Sequence, residues 1–157
     1  MKQFESIGMI GLGVWLISTS ILNLFNIHTS IAFLFITLLT LALGVILVLR
    51  LQEAKPILSL AMLLLVMWLI LVGLLNLLNT SFPASGIVLA VIATTAGILF
   101  LSAILFSRSF HNIGLTLMGA WLIATNIFPL FSITFPGISY VLNGLAVMAG
   151  ILLLIGI

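Results

Sequence analysis

The tripeptide Trp-Leu-Ile occurs three times in the chain, at a constant interval. Its tryptophans are Trp15, Trp68 and Trp121, which are 53 residues apart. When residues 1–53, 54–106 and 107–157 are aligned without a gap, a glycine column repeats as well, formed by Gly44, Gly97 and Gly150. Self-similarity at a fixed period of this length is typical of folds made from repeated supersecondary units. The sequence therefore predicts an internal triplication.

Composition identifies the solvent that surrounds these units. Hydrophobic residues make up 64% of the 157 residues and charged residues 4%, whereas soluble domains have about 45–50% and about 25%. Each repeat holds two apolar segments that are long enough to cross about 30 Å of hydrocarbon. The segments are 6–26, 31–50, 57–78, 86–106, 113–131 and 138–157. We therefore predict an all-α integral membrane protein with six transmembrane helices in a single domain, 1–157.

The formal charges all fall on one side of the predicted membrane domain. They are Lys2, Glu5, Arg50, Glu53, Lys55 and Arg108. The positive-inside rule makes that side cytoplasmic and places both termini inside, and we expect the cytoplasmic membrane of a bacterium or archaeon. Two spans per repeat give all three hairpins the same orientation, so the repeats are parallel. The predicted arrangement is a pseudo-threefold bundle, with an open row of hairpins as the alternative.

The repeated tryptophans and glycines are predicted to pack against each other. Trp15 lies about ten residues into its helix, far from the interfacial belt where membrane tryptophans usually lie. Its side chain leans toward the helix N-terminus and hence toward the level of Gly44. We predict that each indole fills the space left by a glycine, and that the six residues form the seams between hairpins. The alternative is that the three tryptophans form an aromatic cage for a ligand.

Polar residues within the spans concentrate in the halves next to the uncharged turns. One interpretation is hydrogen bonding between helices, which contributes roughly 0.6–2 kcal/mol per contact in lipid. The other is an outward-facing polar vestibule for a small neutral solute or a partner's loop. A through pore is disfavoured because the other halves, such as "LALGVILVL", offer almost nothing hydrophilic. The candidate outer polar cluster is Ser18, Thr19, Asn23, Thr37, Asn76, Thr125, Asn126 and Asn143.

Several function classes are disfavoured by residues that the spans do not contain. Apart from Arg50, the last residue of the second segment, no predicted span holds Asp, Glu, Lys or Arg, which are the side chains that ion-coupled transporters and proton relays use. The chain has no cysteine and no motif for a nucleophile, a phosphate loop or a catalytic metal. His28 and His111 are predicted on opposite faces of the membrane. We therefore expect no catalytic activity, no cofactor, no metal site and no nucleic-acid partner.

The third repeat resembles a known group of membrane proteins. The stretch "FPGISYVLNGLAVMAGILLLIGI", a glycine-spaced helix after a Phe-Pro turn, is similar to the short-repeat, HdeD-like family of six-span bacterial membrane proteins. The stretches "GVWLISTS" and "GAWLIATN" show a weaker resemblance to SPW-repeat membrane proteins. The resemblance implies a small six-span protein linked to envelope or acid stress, and it implies no catalytic residues.

The expected function is non-catalytic. The predicted loops are too short to bind soluble partners, whereas the lateral surface is large and apolar. We expect an accessory or structural subunit that contacts the lipid bilayer and either the helices of other membrane proteins or further copies of itself. A facilitator for a small neutral solute and an HdeD-like envelope or acid-stress protein are the alternatives.

Overall fold

The computed structural model describes residues 2–27, 29–48, 56–80, 84–107 and 113–155, with side chains described at 7–27, 29–48, 58–80, 84–103 and 113–155. The helices are α1 (Lys2–Leu24), α2 (Ser30–Val48), α3 (Pro56–Leu77), α4 (Ser85–Ser107), α5 (Ile113–Leu130) and α6 (Ile138–Ile155). All six are long and apolar enough to cross a membrane. In the described residues, the prediction of an all-helical chain with six helices able to cross a membrane is confirmed, and the predicted bounds differ from those of the helices by at most four residues.

Several sequence predictions fall outside the described residues. The charged turns with Arg50, Glu53, Lys55 and Arg108 are among them, together with His28 and His111 and the side chains of Lys2 and Glu5.

The six helices form a closed ring in chain order. Each helix packs against the helix before it and the helix after it, and α1 also packs against α6. Short connections place successive helices side by side and antiparallel, so the turns after α1, α3 and α5 lie at one end, the hairpin end. The opposite end, where α1 begins and α6 ends, is the terminal end. Of the neighbouring pairs, α1 and α2 have the least extensive contact.

The helices α1, α3 and α5 end with the same backbone geometry. The first residue past each cap has a positive φ: 50° at Asn26, 48° at Asn79 and 52° at Ser132. After α1, the N–H of Asn26 donates to the carbonyl of Asn23 (3.3 Å) and the N–H of Ile27 to that of Leu22 (2.9 Å). The same two bonds recur after α3 and after α5. This is the Schellman motif, in which asparagine takes the left-handed position more readily than most residues other than glycine.

The interior is apolar from the middle of the bundle to the terminal end. Its largest fully buried side chains include a leucine or methionine pair one turn apart on each of α1, α3 and α5. These are Leu12 and Leu16, Leu65 and Leu69, and Met118 and Leu122. The second halves of α2, α4 and α6 add Leu47, Phe100 and Leu153. In the described chain, packed hydrocarbon therefore fills this half of the ring.

Candidate functional site

Three tryptophans meet inside the ring. The ring centroid of Trp15 lies 6.1 Å from that of Trp68 and 6.0 Å from that of Trp121, with interplanar angles of 86° and 81°. Edge-to-face pairs of this kind each contribute about 0.5–1.5 kcal/mol beyond area burial. Helices α1, α3 and α5 are not neighbours in the ring, so their tryptophans touch through its interior. Trp15 contacts both other indoles directly, and no ligand fits between it and either of them.

The repeated glycines lie where helices of different hairpins meet. A Cβ added at Gly44 would lie 2.9 Å from Cγ1 of Ile70, one at Gly97 would lie 2.8 Å from Cγ1 of Ile123, and one at Gly150 would lie 2.7 Å from Cγ1 of Ile17. These pairs join α2 to α3, α4 to α5, and α6 to α1. The side chain facing each glycine is therefore the isoleucine two residues after a tryptophan. The expectation that an indole fills the space is not met, because the indoles turn toward one another.

One tryptophan is anchored by a buried hydrogen bond. The Nε1–H of Trp15, which is 5% exposed, donates to Oγ1 of Thr40 at 2.7 Å, and that hydroxyl donates to the carbonyl of Ile36 at 2.7 Å. In the second repeat the position of Thr40 is occupied by Ala93. Correspondingly, Nε1 of Trp68 is buried without a hydrogen-bond partner, as is the hydroxyl of Thr94. Trp15 and Trp68 therefore have different polar environments.

A polar cavity opens near the hairpin end, between α1, α2 and the end of α3. Its volume is about 380 Å³. Four residues of the predicted outer polar cluster line it, namely Thr19, Asn23, Thr37 and Asn76. Thr29 and Ser30, at the start of α2, also line the cavity, although they are not in the predicted outer polar cluster. They directly follow the polar turn "NIH", and this position in the sequence could have identified them as members of the cluster.

A second depression lies on the side of the α1–α2 contact that carries Ser18. It is lined mainly by Ile17, Ile21, Ile31 and Phe35, with Ser18 among them. Leu22 and Thr29 line both this groove and the polar cavity. The two spaces therefore adjoin along the loosest helix pair of the ring.

The remaining predicted polar residues do not line the polar cavity. The hydroxyl of Thr125 donates to the carbonyl of Trp121, and the amide of Asn126 donates to the carbonyl of Leu122 at 2.8 Å. Asn143 is partly buried on α6. Thr19 and Thr37 likewise donate to carbonyls of their own helices. Hydrogen bonding between helices was one interpretation of this cluster, but these four side chains donate to carbonyls of their own helices, a common pattern for threonine and asparagine.

Comparisons with known proteins leave the architecture as the main guide to function. No family model, no curated protein and no solved structure matches the chain. The resemblances to HdeD-like and SPW-repeat proteins stay predictions.

Proposed function

We propose that this protein is a non-catalytic accessory subunit that packs laterally against the helices of another membrane protein, with α2 as the contacting helix. The observation that carries the proposal is the exposure of α2. Eight of its large apolar side chains are exposed, and within the described residues no other helix exposes as many. At the corresponding places in the other two hairpins, α4 exposes four over the described side chains at 85–103, and α6 exposes six. Contact with lipid alone would not favour one of these three helices, so we interpret the excess on α2 as a protein-binding face.

The exposed residues of α2 are spaced for helix packing. Ile31, Leu38 and Val45 are exposed at intervals of seven residues, and Leu34 and Ala42 flank them. A seven-residue spacing forms a stripe that a second helix can follow at a shallow crossing angle, as in left-handed bundles. The excess coincides with the weak contact between α1 and α2, which leaves more of the surface of α2 available to a partner.

The architecture we propose is three parallel hairpin repeats around a pseudo-threefold axis. It is supported by three features that recur at 53 residues: the Gly-Ile contacts between hairpins, the Schellman ends of α1, α3 and α5, and the central tryptophans. In this arrangement the glycines and tryptophans hold the hairpins together.

The proposed orientation follows from charge. The formally charged residues belong to the terminal end and the turns beside it, so this end faces the cytoplasm and the hairpin end faces outward. A cytoplasmic membrane of bacterial or archaeal type fits this distribution.

A solute facilitator is the weaker proposal. The polar cavity favours it, but the cavity gives way to packed apolar side chains such as Leu16, Leu69 and Leu122. A continuous aqueous path would have to open through these residues. Solute flux into liposomes tests this alternative, and an acid-sensitivity phenotype on deletion tests the envelope-stress one.

Site-specific photocrosslinking tests the accessory role. A photoreactive phenylalanine analogue replaces Leu38, which is 52% exposed, or Val91, which is 56% exposed and lies 53 residues later on α4. The two positions match in predicted depth and exposure. We expect position 38 to crosslink one membrane protein, and native mass spectrometry of the gently extracted complex to show it at fixed stoichiometry.

The outcome at position 91 makes the experiment decisive. Crosslinking of the same partner from both positions contradicts a role specific to α2. Lipid adducts alone at both positions, with a bare monomer by mass spectrometry, contradict the accessory role itself. Crosslinks between copies of this chain would assign the surface to a homo-oligomer.

A further inference from the structure

The α1–α2 pair carries two adjoining spaces that differ in polarity. The polar cavity is lined by the hydroxyl and carboxamide side chains of Thr19, Asn23, Thr37 and Asn76, and by apolar side chains that include Phe33 and Ile36. The groove beside it is lined mostly by aliphatic and aromatic carbon, including Ile17, Ile21 and Phe35. Leu22 and Thr29 belong to both. A single molecule with a polar head and an apolar chain can therefore occupy both spaces.

The cavity extends from the hairpin end into the helical part of the bundle, beyond the first residue of α2. Thr37 is seven residues after Ser30, which at ~1.5 Å per residue places it about 10 Å deeper. Thr37 is buried, whereas Asn23 and Asn76 are exposed. A headgroup that enters from the hairpin end can thus reach a hydroxyl well inside the helical region.

The lining chemistry selects an uncharged head. None of the lining residues carries a formal charge, and a buried ion without a counter-charge costs several kcal/mol. The protons of Thr19 and Thr37 go to the carbonyls of Trp15 and Phe33, so these hydroxyl oxygens are left to accept. The carboxamides of Asn23 and Asn76 can both donate and accept. Such a set pairs best with hydroxyl groups, which also donate and accept.

We propose that the α1–α2 cleft binds a membrane lipid with an uncharged, hydroxyl-bearing headgroup, such as a diacylglycerol. The headgroup occupies the polar cavity and one acyl chain lies in the groove along Ile17, Ile21 and Phe35. The groove argues for a lipid rather than a soluble solute, because a solute would use the cavity alone. The groove shares Ile31 with the stripe of α2 that is centred on Leu38, whereas the polar cavity contains no residue of that stripe.

Native mass spectrometry of delipidated protein in detergent tests the proposal. The protein is titrated with dioleoylglycerol, with the anionic dioleoylphosphatidylglycerol, and with glycerol alone. We expect one dioleoylglycerol adduct whose binding saturates. The anionic lipid should bind more weakly and without saturation. Thr37→Val should weaken dioleoylglycerol binding about fivefold, the equivalent of one hydrogen bond of about 1 kcal/mol.

Two further variants separate binding from folding. Thr95→Val is the matched control, because Thr95 also donates to a carbonyl of its own helix, that of Val91 at 2.7 Å, but is exposed on α4. It should leave lipid affinity unchanged. Asn76→Leu lies at an exposed position, outside the apolar core, and should weaken binding as Thr37→Val does.

The proposal is overturned by any of three results. They are equal affinity for the neutral and the anionic lipid, equal losses in Thr37→Val and Thr95→Val, and a glycerol adduct as strong as the dioleoylglycerol adduct. The last result would assign the cavity to a water-soluble solute. None of these measurements depends on a partner protein, so the accessory role can fail while the lipid site stands, and the reverse also holds.

Discussion

Thr40 accepts the buried hydrogen bond of Trp15, and this pair joins α1 to α2 where their contact is otherwise the least extensive of the ring. Thr40→Val keeps the shape of the side chain but leaves the indole N–H of Trp15 without a partner. We expect the free energy of unfolding to fall by roughly 0.6–1.7 kcal/mol, which spans the average and the largest value found for hydrogen bonds between membrane helices. Reversible unfolding in a detergent titration, followed by tryptophan fluorescence, measures the change.

Two variants check the origin of this loss. Thr40→Ser retains the hydroxyl and should recover most of the stability. Thr95→Val removes a hydroxyl that bonds only within its own helix and should change stability little. A loss in Thr95→Val as large as that in Thr40→Val would show that the tryptophan contact is not the cause.

At the residue scale, the sequence identified the side chains that matter for packing more reliably than it identified their contact partners. The tryptophan and glycine columns were visible because they recur at 53 residues. Periodicity gives the depth of a residue and, less reliably, its face, but contact partners depend on the rotation of each helix. That rotation brings Ile70 rather than Trp15 against Gly44. It also turns the three indoles toward one another.

At the scale of helix pairs, the closest approaches are between α4 and α5 and between α1 and α6. A Cβ at Gly97 would lie 2.7 Å from the carbonyl oxygen of Gly119, and one at Gly150 would lie 2.8 Å from that of Gly13. A backbone atom cannot move aside as a side chain can. The helices must therefore separate to accommodate even one methyl group.

Gly97→Ala is expected to destabilise the protein by about 1–3 kcal/mol, the usual cost of overpacking, and Gly97→Leu by more. Gly144→Ala is the control, because Gly144 lies within α6 and a Cβ there meets nothing within 4 Å. Helix propensity should make that change neutral or stabilising by up to about 1 kcal/mol. The same detergent titration compares the two variants, and equal effects would contradict close packing at Gly97.

The lengths of the helices were predictable, whereas the looseness of one pair was not. Apolar length fixes a membrane span because ~30 Å of hydrocarbon requires about 20 residues. The Schellman ends were harder to see, since asparagine and serine at 26, 79 and 132 stand where glycine would have been the clear signal. The cavity between α1 and α2 depends on the distance between these two helices. In soluble proteins an amphipathic pattern indicates which face of a helix is buried, but this pattern is weak in spans that are apolar on every face.

On the scale of the whole molecule, ring closure indicates that contacts between the hairpins, more than their order in the chain, determine how they assemble. The pair α6–α1 is not linked by a turn, yet it carries the same glycine–isoleucine contact as the linked pairs α2–α3 and α4–α5. The chain connection is therefore not what holds two hairpins together. Packing at the contact is sufficient.

Because the ring is closed, we predict that a circular permutant of the chain folds. Joining residue 157 to residue 1 through a short polar linker and beginning the chain at residue 54 should preserve all six helices and their contacts. We expect its free energy of unfolding to lie within about 1 kcal/mol of the original, because loop-closure entropy changes slowly with connection length. Near-ultraviolet circular dichroism reports whether the edge-to-face contacts of Trp15 with Trp68 and Trp121 re-form.

A permutant that begins at Leu69, inside α3, provides the contrast. It divides a membrane-spanning helix, exposes unpaired backbone groups to lipid, and should lose both stability and the tryptophan signal. If the permutant that begins at residue 54 fails in the same way, α1 and α6 depend on their native chain order, and the contact at Gly150 does not by itself close the ring. If it folds, three hairpins with equivalent seams are sufficient to specify the bundle.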